Sequence, residues 1–153
     1  MKLLPIDAHA DVEALAASLA PGFGGDEAPA RDILTQALAL LTRDPRPAPW
    51  GAYLAEESER AVGTCAFKAA PDADGVVEIA YMTFPAYERR GFAAAMIAAL
   101  SRTAFDAGVE LVIAHTLPLE NASNRALRRN GFEYAGEVTD PEDGQVWRWE
   151  KRG

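Results

Sequence analysis

A predicted strand passes into a predicted helix through a short basic turn, which reads Pro85-Ala86-Tyr87-Glu88-Arg89-Arg90-Gly91-Phe92-Ala93. An apolar run at residues 76–84 precedes this turn, and an alanine-rich run at residues 93–100 follows it. Such a turn directs free backbone N–H groups at one point, with the positive end of the helix dipole behind them. Gly91 lets the backbone approach a ligand closely, and the two arginines add positive charge. The turn therefore predicts a pyrophosphate site, although many glycine turns between a strand and a helix bind nothing.

A second segment with a recognisable pattern begins at Glu120 and reads Glu120-Asn121-Ala122-Ser123-Asn124-Arg125-Ala126-Leu127-Arg128-Arg129-Asn130-Gly131-Phe132. Together the two segments resemble the GNAT superfamily of acyl-CoA-dependent N-acyltransferases. The first is similar to that family's pyrophosphate loop, Gln/Arg-x-x-Gly-x-Gly/Ala, and the second to its later helix, which carries Asn and Ser and ends in Gly-Phe. The strand Glu78-Ile79-Ala80-Tyr81 resembles the branch of ribosomal-protein N-terminal and polyamine acetyltransferases. The resemblance covers residues 60 to 150, and the first 55 residues match only loosely.

The resemblance implies a single α/β domain over residues 1–153, with a mixed central sheet. Its N-terminal part is expected to be antiparallel, and a parallel strand pair is expected around a long crossover helix. Residues 1–56 would form the acceptor side and residues 60–150 the acyl-CoA-binding core. The residues that the resemblance assigns to acyl-CoA are Thr83, Arg89, Arg90, Gly91, Phe92, Ala93 and Asn121.

Two positions depart from the family pattern. Glu88 stands where the loop usually has Gln or Arg, and we expect its carboxylate to face solvent. Ser123 is in register with the family's Ser, but Asn121 lies one place late. Many members carry a Tyr in the later helix as the general acid, whereas here the segment from Glu120 to Phe132 contains none and the next Tyr after it is Tyr134. The identity of the acid is therefore open.

An amine acylation needs a base for the amine, donors for the developing oxyanion and a proton for the leaving thiolate. Glu78 is the candidate base, because partial burial in an apolar strand would raise the pKa of its carboxyl. Its alternative is a solvent-facing or arginine-paired carboxylate. Ser123 could carry or relay the proton to the thiolate, and both it and Asn121 could instead be helix caps. His115 ends the second predicted parallel strand, as a structural histidine or as another base.

Composition bounds the class of protein. At 49% hydrophobic and 25% charged residues the chain has the composition of a globular domain, and no apolar run approaches the ~20 residues that cross a bilayer. The net charge of −8 disfavours nucleic acid and anionic membranes as partners and favours a cationic acceptor. Cys65 is the only cysteine, which excludes an intrachain disulfide and a cysteine metal cluster, and no metal site is predicted. We expect Cys65 to be a buried, inert thiol and the protein to be cytoplasmic.

Periodicity and turn residues predict the remaining elements. We expect a helix over residues 12–20 capped by Asp11, a second helix with Pro29 in its first turn, and a strand hairpin over residues 50–68. A long helix should follow Gly91 and end before Gly108, a strand should cover residues 109–115, and a final hairpin should cover residues 132–150. Trp147 and Trp149 share one face of the last strand. They would be core residues, a homodimer contact or an aromatic wall for the acceptor.

The sequence therefore predicts an acyltransferase that moves an acetyl group from acetyl-CoA to a primary amine in a ternary complex. The alternative is a non-catalytic acyl-CoA-binding module, since the family's Tyr is absent and the Asn is displaced. The acceptor is left open between a protein N-terminus, a polyamine, an aminoglycoside and a small amine metabolite. The loops that would select it, residues 21–30, 43–49 and 139–145, carry no recognisable code.

Overall fold

A seven-stranded mixed sheet forms the centre of the computed structural model, which describes residues 1–153. The strands are β1 (Lys2–Pro5), β2 (Ala52–Glu57), β3 (Arg60–Phe67), β4 (Val76–Thr83), β5 (Leu111–Thr116), β6 (Glu133–Asp140) and β7 (Gly144–Arg152). Their order across the sheet is β1-β2-β3-β4-β5-β7-β6. Only the β4–β5 pair is parallel, and every other neighbouring pair is antiparallel. The predicted fold class is confirmed.

Four α-helices accompany the sheet: α1 (Val12–Leu19), α2 (Glu27–Arg43), α3 (Phe92–Asp106) and α4 (Ala122–Arg129). Asp11 caps α1, with its side chain accepting from the Ala14 N–H at 3.2 Å, and Asp26 caps α2 in the same way through Ala28. Pro29 lies in the first turn of α2, where a missing N–H leaves no helical hydrogen bond unmade. None of these helices is both long and apolar enough to span a lipid bilayer.

The helices lie on the two faces of the sheet. Gly63 of β3 approaches Met96 of α3 so closely that an added Cβ would lie 3.0 Å from the Met96 Cε atom. On the opposite face, Met82 of β4 lines a small cavity together with Ile33 and Ala37 of α2. Successive strand residues point to opposite faces, so β4 contributes side chains to both layers.

The parallel strands β4 and β5 are paired only at their beginnings. The register joins Val76 to Leu111, Val77 to Val112 and Glu78 to Ile113, and no pair follows. β4 nevertheless continues to Thr83 along β3, and β5 continues to Thr116 along β7. The two strands therefore separate after their third pair and leave a cleft with an unpaired backbone edge on β4.

The core contains the one thiol of the chain. Cys65 of β3 is buried, and this burial raises the pKa of its thiol to about 12. The prediction of a buried Cys65 is confirmed. Trp149 is also buried, and its indole N–H donates to the Thr116 hydroxyl at 3.1 Å. Trp149 is therefore a core residue, while Trp147 is only partly buried.

Candidate active site

A cavity of about 1040 Å³ fills the cleft where β4 and β5 separate. Its lining comes from the end of β4, the turn at Glu88–Gly91, the first turn of α3, and the start and outer face of α4. The volume is at the upper end of the roughly 300–1,000 Å³ that ligand sites usually have, so an extended ligand can enter. Three further cavities, of about 560, 310 and 180 Å³, are smaller.

The turn before α3 has the backbone of an anion site. Arg89 and Gly91 both adopt left-handed conformations, with φ of 65° and 82°, and no side chain caps the helix that follows. The N–H groups at the start of α3 are therefore left without side-chain partners at the cavity. A Cβ added at Gly91 would meet no protein atom within 4 Å, so the space in front of this backbone is open.

The start of α4 forms the opposite wall. The Asn121 side-chain oxygen caps the helix by accepting from the Asn124 N–H at 3.0 Å, while Asn121 also lines the cavity. Asn121 is thus a helix cap, one of the two roles that the sequence left open, and its amide NH₂ group has no partner within the protein. Ser123 does not cap the helix, and its hydroxyl lies 2.7 Å from the Tyr81 hydroxyl.

A buried polar network fixes α4 to the sheet. The Thr116 hydroxyl donates to the side-chain oxygen of Asn124 at 2.5 Å, and the Asn124 amide donates to the Leu119 carbonyl at 2.6 Å. Asn124 is completely buried, and Trp149 donates to the same Thr116 hydroxyl. A fully satisfied buried network of this kind holds its members in one arrangement, which here sets the position of Ser123.

Most residues that the resemblance assigned to acyl-CoA do line this cavity. They are Thr83, Arg89, Gly91, Phe92, Ala93 and Asn121. Arg90 does not, because its guanidinium lies over the ring of Tyr87 at 5.9 Å from the ring centre. Glu88 is exposed, as expected, and forms part of the rim.

The charge of the cavity contrasts with that of the whole chain. Arg89, Arg125 and Arg129 line it, against the single carboxylate of Glu88, although the net charge of the protein is −8. Arg128 is engaged elsewhere, since it forms two hydrogen bonds of 2.9 Å with Glu120. Of the four arginines in the two motif segments that have no carboxylate partner, all but Arg90 therefore line the cavity where an anion would lie.

The candidate base Glu78 lies on the other face of β4, outside the lining of the large cavity. One carboxylate oxygen of Glu78 forms an ion pair with Lys68 Nζ at 3.0 Å and a hydrogen bond with His115 Nδ1, also at 3.0 Å. Glu78 is about one-fifth exposed, and His115 is 14% exposed. His115 Nε2 is buried and has no partner in the protein. The structure thus brings together the two residues that the sequence offered as alternative bases.

The lysine of this cluster is held in its charged form. Burial alone would lower the pKa of Lys68, but the ion pair with Glu78 and the nearby Asp140 and Asp143 raise it. A charged Lys68 therefore lies beside the Glu78 carboxylate, 3.0 Å from one of its oxygens.

Tyr81 is the site residue that the sequence interpretation did not select. Tyr81 and Ser123 both line the cavity, and their hydroxyls are hydrogen-bonded to each other. Burial raises the pKa of Tyr81, and its hydrogen bond with Ser123 partly offsets that rise. One signal was present in the sequence, since Tyr81 and Thr83 are two residues apart and a strand places such residues on the same face.

Comparison with known families identifies the domain. The family model for an acetyltransferase (GNAT) domain matches residues 3–133. The chain belongs to the GNAT acetyltransferase family. The match includes the basic turn, Tyr81 and Ser123. It also covers most of the first 55 residues, where the sequence motifs gave only a loose resemblance. No curated protein matches the chain.

Solved structures share the GNAT fold over nearly the whole chain. The aminoglycoside acetyltransferase AAC(6′)-Ib with paromomycin and acetyl-CoA has a TM-score of 0.73 at 21% identity, covering 99% of this chain and 92% of that one. The microcin C7 self-immunity acetyltransferase MccE with acetyl-CoA and AMP has a TM-score of 0.72 at 15% identity, covering 99% and 91%. The Salmonella typhimurium acetyltransferase that modifies the N-terminal serine of ribosomal protein L7/L12 has 0.72 at 17%, covering 99% and 94%.

Proposed function

We propose that this GNAT domain transfers an acetyl group from acetyl-CoA directly to a primary amine within a ternary complex. The observation that carries the proposal is the basic cleft between the separated strands β4 and β5. The uncapped start of α3, Arg89 and the open space at Gly91 fit a pyrophosphate. The unpaired edge of β4 near Thr83 offers backbone groups to the pantetheine arm and to the thioester carbonyl.

On the amine side, Glu78 acts as the base together with His115. Glu78 occupies the Nδ1 side of the imidazole, so the free Nε2 is the atom that can take a proton. The carboxylate fixes the orientation of the ring and stabilises the imidazolium that forms. Glu78 and His115 thus divide one task, since His115 receives the proton and Glu78 holds its charge.

The acceptor is a primary amine of a class that stays open. The acidic surface of the chain favours a cationic molecule, and the loops at residues 21–30, 43–49 and 139–145 would select it. Protein N-termini, polyamines, aminoglycosides and small amine metabolites are the classes to compare. A cytoplasmic location, a possible homodimer and the absence of nucleic acid and membrane as partners likewise stay predictions.

Binding is tested first with a matched pair of glycine variants. Gly91→Glu adds bulk and negative charge where the phosphates would lie, so acetyl-CoA should no longer bind or raise the melting temperature. Gly108→Glu is the control, because Gly108 has a similar φ of 90° and the same open surroundings at the other end of α3. Both variants carry the same backbone strain and charge. Calorimetry and thermal shift should therefore separate them, and equal loss in both would contradict the assigned site.

Catalysis is tested by thioester consumption with the amine panel. The proposed enzyme consumes acetyl-CoA only when an acceptor is present, whereas a non-catalytic acyl-CoA-binding module binds acetyl-CoA and leaves the thioester intact. The second candidate follows from α4, which carries Leu127, Arg128 and Arg129 and no tyrosine. Binding without consumption for every amine would establish it.

A further inference from the structure

The hydroxyls of Tyr81 and Ser123 join the two walls of the cleft. Tyr81 lies on β4 and Ser123 on α4, 42 residues further along the chain, and their oxygens are 2.7 Å apart. No other side-chain hydrogen bond connects β4 to α4. Both residues line the cavity in which the thioester would lie.

We propose that Tyr81 supplies, through the Ser123 hydroxyl, the proton that the departing CoA thiolate takes up. This inference rests on the proposed acetyl transfer and assigns its missing acid to a strand rather than to α4. Tyr81 acts through Ser123 and is therefore a positioning and proton-supplying residue, while Ser123 is the group that meets the sulfur.

Acid strength distinguishes Tyr81 from Ser123 as the source. A free thiol has a pKa of roughly 8.5 and a phenol one of roughly 10, so passing a proton from the phenol to the thiolate is uphill, but far less so than from a serine hydroxyl. A serine hydroxyl is a far weaker acid, and on its own it would become an alkoxide if it gave up its proton. With Tyr81 behind it, Ser123 gives its proton to sulfur and receives one from the phenol, so it stays neutral.

The proton balance of the transfer closes with these residues. The amine nitrogen forms a bond to the thioester carbonyl carbon, and the carbon–sulfur bond breaks with its electron pair going to sulfur. The amine proton goes to His115 Nε2, and the sulfur takes the proton of Ser123, which Tyr81 replaces. Solvent then returns a proton to the Tyr81 phenolate and removes one from His115.

The surroundings of Tyr81 hold it in its protonated form at neutral pH. Burial raises the pKa of Tyr81, so the phenol is intact where the enzyme would work. The cavity places Glu88 and Arg89 of the turn and Arg125 and Arg129 of α4 around the pair. Cys65 of β3 is in register with Tyr81 and is uncharged, because burial raises its pKa to about 12.

Three variants test the relay: Tyr81→Phe, Ser123→Ala and the double variant. Each single change should lower kcat about tenfold while the calorimetric Kd for acetyl-CoA stays close to the parent's, because a thiolate is already a good leaving group. The double variant should again lose about tenfold, since both residues serve one proton path. Tyr134→Phe is the control, because Tyr134 lies exposed on β6 against Trp147 and Trp149. An additive loss of about a hundredfold, or an unchanged kcat in Tyr81→Phe, would overturn the relay.

The pH profile separates proton supply from a structural role. In the parent, kcat should fall at high pH as Tyr81 ionises, and this limb should be absent in Tyr81→Phe. Because the Ser123 hydrogen bond lowers the pKa of Tyr81, Ser123→Ala should move the limb to higher pH. A near-ultraviolet titration of tyrosinate measures the ionisation of Tyr81 without turnover, and it should also give a higher pKa in Ser123→Ala than in the parent. A limb that survives in Tyr81→Phe would overturn the proposal. A parent protein that consumes no thioester would overturn the proposed function itself. The titration does not depend on turnover, so it would still show whether Ser123 affects the ionisation of Tyr81.

Discussion

On the face of β4 that meets α3 and α4, Tyr81 lies 2.7 Å from Ser123, whereas on the opposite face Glu78 lies 3.0 Å from both Lys68 and His115. Glu78 and Tyr81 are three positions apart, and strand residues alternate, so they must point to different faces. The first face is lined with arginines and the second holds a carboxylate and an imidazole. One strand thus keeps the proposed proton donor and the proposed base on opposite faces.

Glu78→Gln is expected to give the largest effect, because it alters the proposed base. Turnover should fall by about 10²- to 10⁴-fold, since a positioned acid or base contributes on that order, while the Kd for acetyl-CoA stays nearly unchanged. Steady-state kinetics and calorimetry on the same preparation measure the two quantities. Glu150→Gln is the matched control, because Glu150 is a half-buried sheet carboxylate paired with Arg148 at 2.8 Å.

The pH dependence sharpens the same test. In the parent, kcat/KM should rise with pH through one ionisation, because a general base must be free of its proton, and the rise should flatten or move in Glu78→Gln. A Glu78→Gln variant with near-normal turnover and an unchanged profile would show that His115 or a water takes the proton without the carboxylate.

Arg89→Ala is expected to give the next effect and acts on the cofactor side. The Kd for acetyl-CoA should weaken about ten- to a hundredfold, since a hydrogen bond between charged partners contributes roughly 1.5–3 kcal/mol. Arg90→Ala should lose less, because the Arg90 guanidinium lies over Tyr87 and outside the cavity. Calorimetry on both variants decides, and a greater loss at Arg90 would mean that it turns toward the ligand on binding.

Asn121→Ala and Ser123→Ala are expected to give the smallest effects and to separate binding from turnover on one wall. Asn121→Ala should weaken acetyl-CoA binding about three- to tenfold, since a neutral hydrogen bond contributes about 0.5–1.5 kcal/mol, and Ser123→Ala should lower kcat about tenfold, as the proton relay requires. Asn121 also caps α4, so its melting temperature is measured alongside. No loss in either variant would mean that α4 only shapes the fold.

The cofactor side was predictable from sequence because its parts are local. The turn, Gly91 and the start of α3 are contiguous, and the crossover from β4 through α3 to β5 follows from periodicity and handedness. The short strand β1 was not predicted, because its four residues end in Pro5 and exist as a strand only by pairing with β2. β5 begins at Leu111 rather than at Val109, since the Val109 N–H still bonds to Ala104 at the end of α3.

The paired side chains were not predictable in the same way. Glu78 and His115 are 37 residues apart, and Tyr81 and Ser123 are 42 apart. The contacts depend on the parallel register of β4 with β5 and on the buried Asn124 network that positions α4. Neither the register nor the network can be predicted from the pattern of neighbouring residues. Sequence therefore named Glu78, His115 and Ser123 one at a time, and only the fold joined them.

The burial of Cys65 allows turnover to be measured by counting the thiols that the reaction releases. Acetyl transfer would release one free thiol of coenzyme A per turnover, and a disulfide reagent counts such thiols by their thiolate. The folded chain adds no background signal, because its only thiol is shielded and its pKa is raised to about 12. Unfolding exposes that same sulfur, so the reagent also reports the open molecules. One colour reaction can thus follow both product release and the integrity of each variant.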